Sequence, residues 1–314
     1  MTRAGVGIAL VAALAVGLSG GGARAASETK IATAISAPTV TAKPTGKSKS
    51  KRKGPAAPKR PVLGGERVEV LRVALLGPDD EASAEAARAF GQSGAIGAAE
   101  PLVGLLAMGA TPTRTQAALD ALGQLAEVGA LGADNRAIEV LELYAGHRTP
   151  DLRRRAVKAL GAVKEDRAAA VVVPALVARL GDAAPDVRAT AGESLAARRE
   201  VKAATPRLYA LVKRGDPGAA GPLAALAPPD LIPQIAELAG SVDDGVLATV
   251  LGEYVKRDDV PDKLRVDVLR TIGGLAGAGA TTALVEYLAS VPAKDARPSK
   301  KEAQKLLDER GSKQ

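Results

Sequence analysis

The chain of 314 residues has no cysteine, no tryptophan, one phenylalanine and one histidine. Without cysteine there are neither disulfides nor thiolate metal sites. A lone histidine, His147, leaves a histidine-rich metal site without partners, and no Ser-His-Asp arrangement is specified around it. Aromatics make up 2% of the residues, so the 46% hydrophobic content must form a core of Leu, Val, Ile and Ala. Alanine has the highest helix propensity and lets helices approach closely, so this palette suits tightly packed helix pairs. Beyond the first 25 residues no run reaches the roughly 20 apolar residues of a membrane-spanning helix. Sustained alternation of apolar and polar residues is also lacking. Val171-Val172-Val173 comes nearest, and Pro174 directly after it suits the first turn of a helix instead. The chain is expected to be all-α, with no metal and no cofactor.

What is present begins with an uneven charge distribution. Arg3, the apolar stretch from Ile8 to Leu18 and Ala23-Arg24-Ala25 have the layout of a secretory leader, with cleavage expected after Ala25. No cysteine follows the apolar stretch to carry a lipid, and no twin arginine precedes it, which favours general secretion to the periplasm or beyond. Residues 26–61 are Ala, Thr, Ser, Pro and Lys without hydrophobic periodicity, a composition expected to form a disordered tether. Lys43, Lys47, Lys49, Lys51, Arg52, Lys53, Lys59 and Arg60 lie there with no acid between them. The net charge of +8 is therefore local, because residues 61–314 hold 34 acids against 32 bases.

From residue 62 to residue 292, helical segments of 10–16 residues alternate with Gly, Pro and Asp turns. Thr149-Pro-Asp-Leu-Arg-Arg-Arg-Ala-Val-Lys-Ala-Leu-Gly161 is answered 35 residues later by Ala184-Pro-Asp-Val-Arg-Ala-Thr-Ala-Gly-Glu-Ser-Leu-Ala196. Asp151 aligns with Asp186, Arg153 with Arg188 and Leu160 with Leu195. Such a period marks stacked supersecondary units. Phe90 falls in the register of Leu122, Leu160 and Leu195 and is expected in the core. The segment Asp216–Pro222 is a poor helix, since Gly and Pro penalise the interior. Residues 293–314 form a charged tail in which Lys300–Glu309 is expected as one frayed helix.

The pattern at 149–182 resembles the HEAT repeat, in the short variety of phycobilisome-lyase-type HEAT proteins. Pro150-Asp151-Leu152-Arg153 leading to Ala156, Ala159, Leu160 and Gly161 is similar to the outer helix. Asp166-Arg167-Ala168 is similar to the turn, and Val173-Pro174-Ala175-Leu176 with Leu180 to the inner helix. Phe90-Gly91, Leu122-Gly123 and Ile272-Gly273 keep the end of the outer helix, whereas 216–256 departs from the pattern. The resemblance implies a right-handed α-solenoid of about five to six helical hairpins, with second helices lining a concave face. It also implies that Asp and Arg bridge adjacent repeats, so Arg153 and Arg188 are read as structural. On the residues alone, Asp151 and Asp186 are read as helix caps.

A search for chemistry finds little. Thr45-Gly-Lys-Ser48 has the tail of a phosphate-binding loop without its earlier glycine or a preceding strand. The acidic doublets Asp79-Asp80, Asp243-Asp244 and Asp258-Asp259 sit at apparent helix starts, where capping accounts for them. His147 follows a helix end, which favours a cation. The expectation is a non-enzymatic scaffold whose second helices bind a protein partner through Tyr144, Arg179, Arg207, Tyr209, Lys213 and Tyr287, with Glu142 at a similar polar position; Tyr and Arg are common interface anchors. A second expectation is adhesion to an anionic envelope surface or polymer through Lys47, Lys49, Lys51, Arg52, Lys53, Lys59 and Arg60. An accessory role to a lyase-type enzyme is the third. No specific nucleic-acid binding is expected.

Overall fold

The computed structural model describes residues 64–132, 135–164 and 166–312, all within the unit Ala57–Gln314. The expected leader, residues 1–25, and basic tether, residues 26–61, lie outside the described residues. Among those described there are fifteen α-helices and no strand. In order they are α1 (Gly65–Leu76), α2 (Asp80–Ser93), α3 (Ala99–Met108), α4 (Pro112–Glu127) and α5 (Arg136–Ala145). Next come α6 (Pro150–Ala162), α7 (Ala169–Arg179), α8 (Pro185–Ala197), α9 (Val201–Lys213) and α10 (Ala220–Leu226). The last are α11 (Ile232–Ala236), α12 (Asp244–Val255), α13 (Asp262–Gly274), α14 (Gly277–Ser290) and α15 (Pro298–Gly311).

The helices alternate between two layers, as a solenoid of hairpins requires. Even-numbered helices stack successively from α2 to α14; the odd-numbered helices form the second layer, from α1 to α9 and from α11 to α15. Five hairpins are full length (α2–α3, α4–α5, α6–α7, α8–α9 and α12–α13), α10–α11 is shortened, and α14–α15 closes the array. Local chemistry sets the starts. Pro112, Pro150, Pro185 and Pro298 each open a helix, where the missing N–H has no intrahelical partner to lose. The carboxylates of Asp79 and Asp243 cap α2 and α12, accepting from the backbone N–H groups of Glu81 at 2.9 Å and Gly245 at 2.9 Å.

Phe90, Leu122, Leu160 and Leu195 are fully buried on successive even helices, and Leu141, Leu176 and Leu208 on successive odd ones. Each such side chain contributes about 1.5–3 kcal/mol by leaving water. The even layer is close-packed through small residues. A Cβ added at Gly91 on α2 would stand 2.7 Å from the Cα of Ala121 on α4. One added at Gly252 on α12 would stand 2.8 Å from the Cβ of Ala283 on α14. Gly91, which ends an outer-helix motif, and Gly252 thus mark where neighbouring helices approach closely.

Arginines stitch one unit to the next. Arg153 on α6 donates to both carboxylate oxygens of Asp182, at 2.8 and 2.6 Å, and to the carbonyls of His147 and Arg148. Arg188 on α8 repeats this with Asp216 and the carbonyls of Asp182 and Ala183. A second set reaches helix C-termini, whose last carbonyls lack intrahelical donors and favour a cation. Arg198 donates to the carbonyl of Val163. Arg257 donates to those of Ala224 and Ala227 at 2.9 and 2.8 Å. Arg310 donates to those of Gly273 and Leu275 at 3.0 and 2.8 Å.

Several expectations change. Asp151 does not cap α6; the preceding Thr149 is the N-cap residue and makes no side-chain cap bond. Its carboxylate instead accepts from Gln116 on α4 and from Arg154 and Arg155, and the Arg155 bonds hold its pKa below the usual carboxylate value against a partial loss of hydration. Asp186 likewise makes no cap bond, Ala184 being the N-cap residue of α8. Asp259 is not a cap either: it takes the guanidinium of Arg257 at 2.9 and 2.5 Å in the turn before α13. Asp216–Pro222 does enter a helix, a 3-10 turn over Pro217–Ala219 leading into α10 with Pro222 in its first turn. The tail is not frayed. α15 packs on α13 and α14, with Ala303 and Ser299 fully buried, because the polar Ser299 pairs with Asp262 and Tyr287.

Candidate interaction face

The odd layer from α3 to α9 presents one continuous surface, and its register follows from the core. Leu106, Leu141, Leu176 and Leu208 are buried on α3, α5, α7 and α9. Two residues before them stand Gly104, Glu139, Pro174 and Pro206; two residues after stand Met108, Leu143, Ala178 and Ala210. All eight are exposed. The later row is apolar throughout, with Met108 67% and Leu143 73% exposed. In water these large side chains pay an unfavourable hydration term, and contiguous exposed apolar surface marks interaction sites. At the α3 end the row borders a groove of about 840 Å³ between α1, α3 and α5, lined by Leu76, Ile96, Pro101, Met108 and Val140 among others.

Charge is graded across the same surface. Helix α5 exposes Glu139 and Glu142 and one cation, Arg136; α7 has no charged side chain until its last residue, Arg179; α9 carries Lys202, Arg207 and Lys213 and no acid. The outward side of α7 is formed by Ala170, Pro174 and Ala178, flanked by half-buried Val173 and Val177. Pro174 and Pro206 lie inside their helices, so the carbonyls four residues earlier, of Ala170 and Lys202, lose their helical donor on this exposed side.

The six residues expected to contact a partner are placed differently from one another. Tyr144 is half-buried, its hydroxyl donating to the carbonyl of Leu106 at 3.2 Å; burial raises its pKa against a hydrogen bond with Thr115 that lowers it. Arg179 donates to the carbonyl of Ala145 at 3.2 Å and Arg207 to that of Val177 at 3.3 Å. These three bind each odd helix to the end of the one before it. Tyr287 is 1% exposed, and its hydroxyl pairs with Ser299 Oγ at 2.5 Å, so it offers nothing to a partner. Tyr209, half-buried, and Lys213, exposed, remain on the face together with Glu142. Met108 and Leu143 were missed; their 35-residue spacing matches that of Asp151 and Asp186 and was the available signal.

His147 makes a local contact just past the end of α5. Its Nδ1 accepts from the backbone N–H of Thr149 at 3.0 Å and its ring stacks on Tyr144 at 5.7 Å. Among the described residues no group of three or more His, Cys, Asp or Glu could hold a metal ion. Nor is any helix among them long and apolar enough to cross a membrane. The seven basic residues of the tether, Lys47 to Arg60, lie outside the described residues.

Comparison with known proteins bears on this layered architecture. The profile of the family described as HEAT repeats matches residues 137–228. Residues 137–228 carry HEAT repeats. No curated protein matches the chain. Among solved structures, the HEAT array is similar to the complex of CpcE and CpcF of phycocyanin lyase from Nostoc sp. PCC7120. The two share 17% identity over 85% of this chain and 99% of that one, with a TM-score of 0.41. It is also similar to Kap121p bound to Ste12p, at 12% identity over 77% of this chain and 29% of the other, with a TM-score of 0.49. A computationally designed armadillo repeat protein for modular peptide recognition shares 19% identity over 77% of this chain and 98% of that one, with a TM-score of 0.34.

Proposed function

We propose that this HEAT array is an exported scaffold that binds a protein partner on the exposed face of α3, α5, α7 and α9. The observation that carries the reading is the solvent-facing apolar row Met108–Leu143–Ala178–Ala210. Single exposed apolar residues are ordinary, but a row repeated across four stacked helices is a surface built for burial. Export rests on the leader-like pattern of residues 1–25. The reading assigns the chain binding, with no reaction of its own.

A photo-crosslinking residue placed at Leu143 is expected to give adducts with another polypeptide in intact cells. The same residue at Lys158, exposed on α6 in the other layer, is expected to give none. Equal adducts from both positions, or none from Leu143, would remove the proposal.

A second reading is supported by the basic run from Lys43 to Arg60, which holds eight cations and no acid. It is proposed as an electrostatic tether to an anionic surface, each cation contributing up to about 1 kcal/mol near the surface and less as salt rises. Full-length mature protein is expected to bind phosphatidylglycerol vesicles in low salt and to release them in high salt. Deleting residues 43–60 should abolish the binding; retention of salt-sensitive binding by the deletion variant would locate the contact elsewhere.

A further inference from the structure

We infer that a second copy of this chain occupies the α5–α7–α9 face, the two copies being related by a two-fold axis that lies in the interface and runs along α7. The inference rests on the reading of that face as an interaction surface and specifies its occupant. The net charge changes sign across α7. On one side α5 exposes Glu139 and Glu142 with one cation, Arg136; on the other α9 exposes Lys202, Arg207 and Lys213 with no exposed acid; the outward side of the middle helix presents Ala170, Pro174, Ala178 and neighbouring valines. A two-fold rotation about an axis running along α7, between the copies, exchanges the two sides. It therefore sets the net-acidic α5 of each copy against the basic α9 of the other, twice over, while α7 meets α7.

In a two-fold interface every contact occurs in a reciprocal pair, so a surface must be complementary to itself. A face of uniform charge fails that condition, and this one meets it. Among the described residues no ion pair engages Glu139, Glu142, Lys202 or Lys213, whereas fifteen other pairs are formed. The apolar middle also suits dimerisation better than binding of a highly charged ligand, since charged residues are depleted at the centre of interfaces. Three helices spaced about 10 Å apart, each rising about 1.5 Å per residue, give a footprint on the order of 600 Å² per copy. Stable interfaces bury about 800 Å² per partner, so the dimer is weak and reversible.

The test uses full-length mature protein in sedimentation velocity at micromolar concentrations and low salt. Wild type is expected to shift from monomer to dimer with concentration. The variants Glu139→Lys with Glu142→Lys, and Lys202→Glu with Lys213→Glu, are each expected to weaken dimerisation at least about tenfold, because each places like charges together at both ends. An equimolar mixture of the two variants restores opposite charges at both ends and is expected to form the heterodimer with near wild-type affinity. A loss of folding in either variant could not produce that rescue. A monomeric wild type, or a mixture that stays monomeric, overturns the inference. If wild type is monomeric while Leu143 still crosslinks to a different polypeptide, self-association fails and the scaffold reading stands.

Discussion

Replacing Gly91 by leucine is expected to destabilise the array by about 3 kcal/mol, at the upper end for overpacking a buried contact. Alanine at the same position should also destabilise. In an ordinary helix interior that change is favourable by about 0.5–1 kcal/mol, because glycine loses more backbone freedom on folding. Here the added Cβ would stand 2.7 Å from the backbone Cα of Ala121 and 2.9 Å from its Cβ. Relief requires α2 and α4 to separate along their buried seam, which would open the packing around Phe90. Gly104, inside α3, provides the control. A Cβ there meets nothing within 4 Å, so Gly104→Ala should stabilise by about 0.5–1 kcal/mol. Chemical denaturation of the three variants checks the opposite signs. A stabilising Gly91→Ala would show that the close approach of α2 and α4 imposes no cost.

The second large effect is expected from Arg153→Met. The carboxylate of Asp182 is only 3% exposed and takes two bonds from this guanidinium. Removing one partner of a buried pair costs about 3–5 kcal/mol. The lower end applies, because Asp182 keeps the backbone N–H of Ala184 at 2.9 Å and has Arg179 at 3.8 Å. Burial pushes the Asp182 carboxyl up, but the Arg153 bonds and the Ala184 N–H outweigh it, and the folded-state pKa is lowered. A carboxylate held below its unfolded value of about 3.9 adds stability above that pH and loses it as pH falls through the folded value. The stability gap between wild type and Arg153→Met should therefore be full at neutral pH and narrow below about pH 4. A gap independent of pH across that range would assign the loss to packing of the arginine stem.

Much of this architecture is legible in the sequence because repetition makes periodicity redundant. The 35-residue echo between Asp151 and Asp186 fixes helix length and layer, and the buried positions of Phe90, Leu122, Leu160 and Leu195 follow from it. Legibility ends where local propensity and tertiary contact disagree. Pro217, Gly218, Gly221 and Pro222 oppose a helix, yet Leu223 and Leu226 draw the segment into the core between α8 and α12. The charges of α15 suggest a solvated tail, while the residues that fix it, Ser299, Ala303, Leu306 and Arg310, are few and scattered among the charged ones. The exposed apolar row of the odd layer was hidden for a related reason. Tyrosine and arginine are common at interfaces, but they also suit joints between helices, and Tyr144, Arg179 and Arg207 serve as joints. Met108 and Leu143 look like core residues until the register of Leu106 and Leu141 shows them facing outward.

The stitches that end on helix C-termini are asymmetric in their dependence on sequence. Tyr144, Arg179, Arg198, Arg207, Arg257 and Arg310 supply donors from side chains, but their acceptors are main-chain oxygens. Every amino acid has that oxygen, so no substitution at Leu106, Ala145 or Val177 deletes the receiving half of a joint. Mutational drift at the ends of the odd helices can therefore recast the surface chemistry of the face while the cohesion of the stack is retained. A lineage of such chains could change partners without re-evolving its spine.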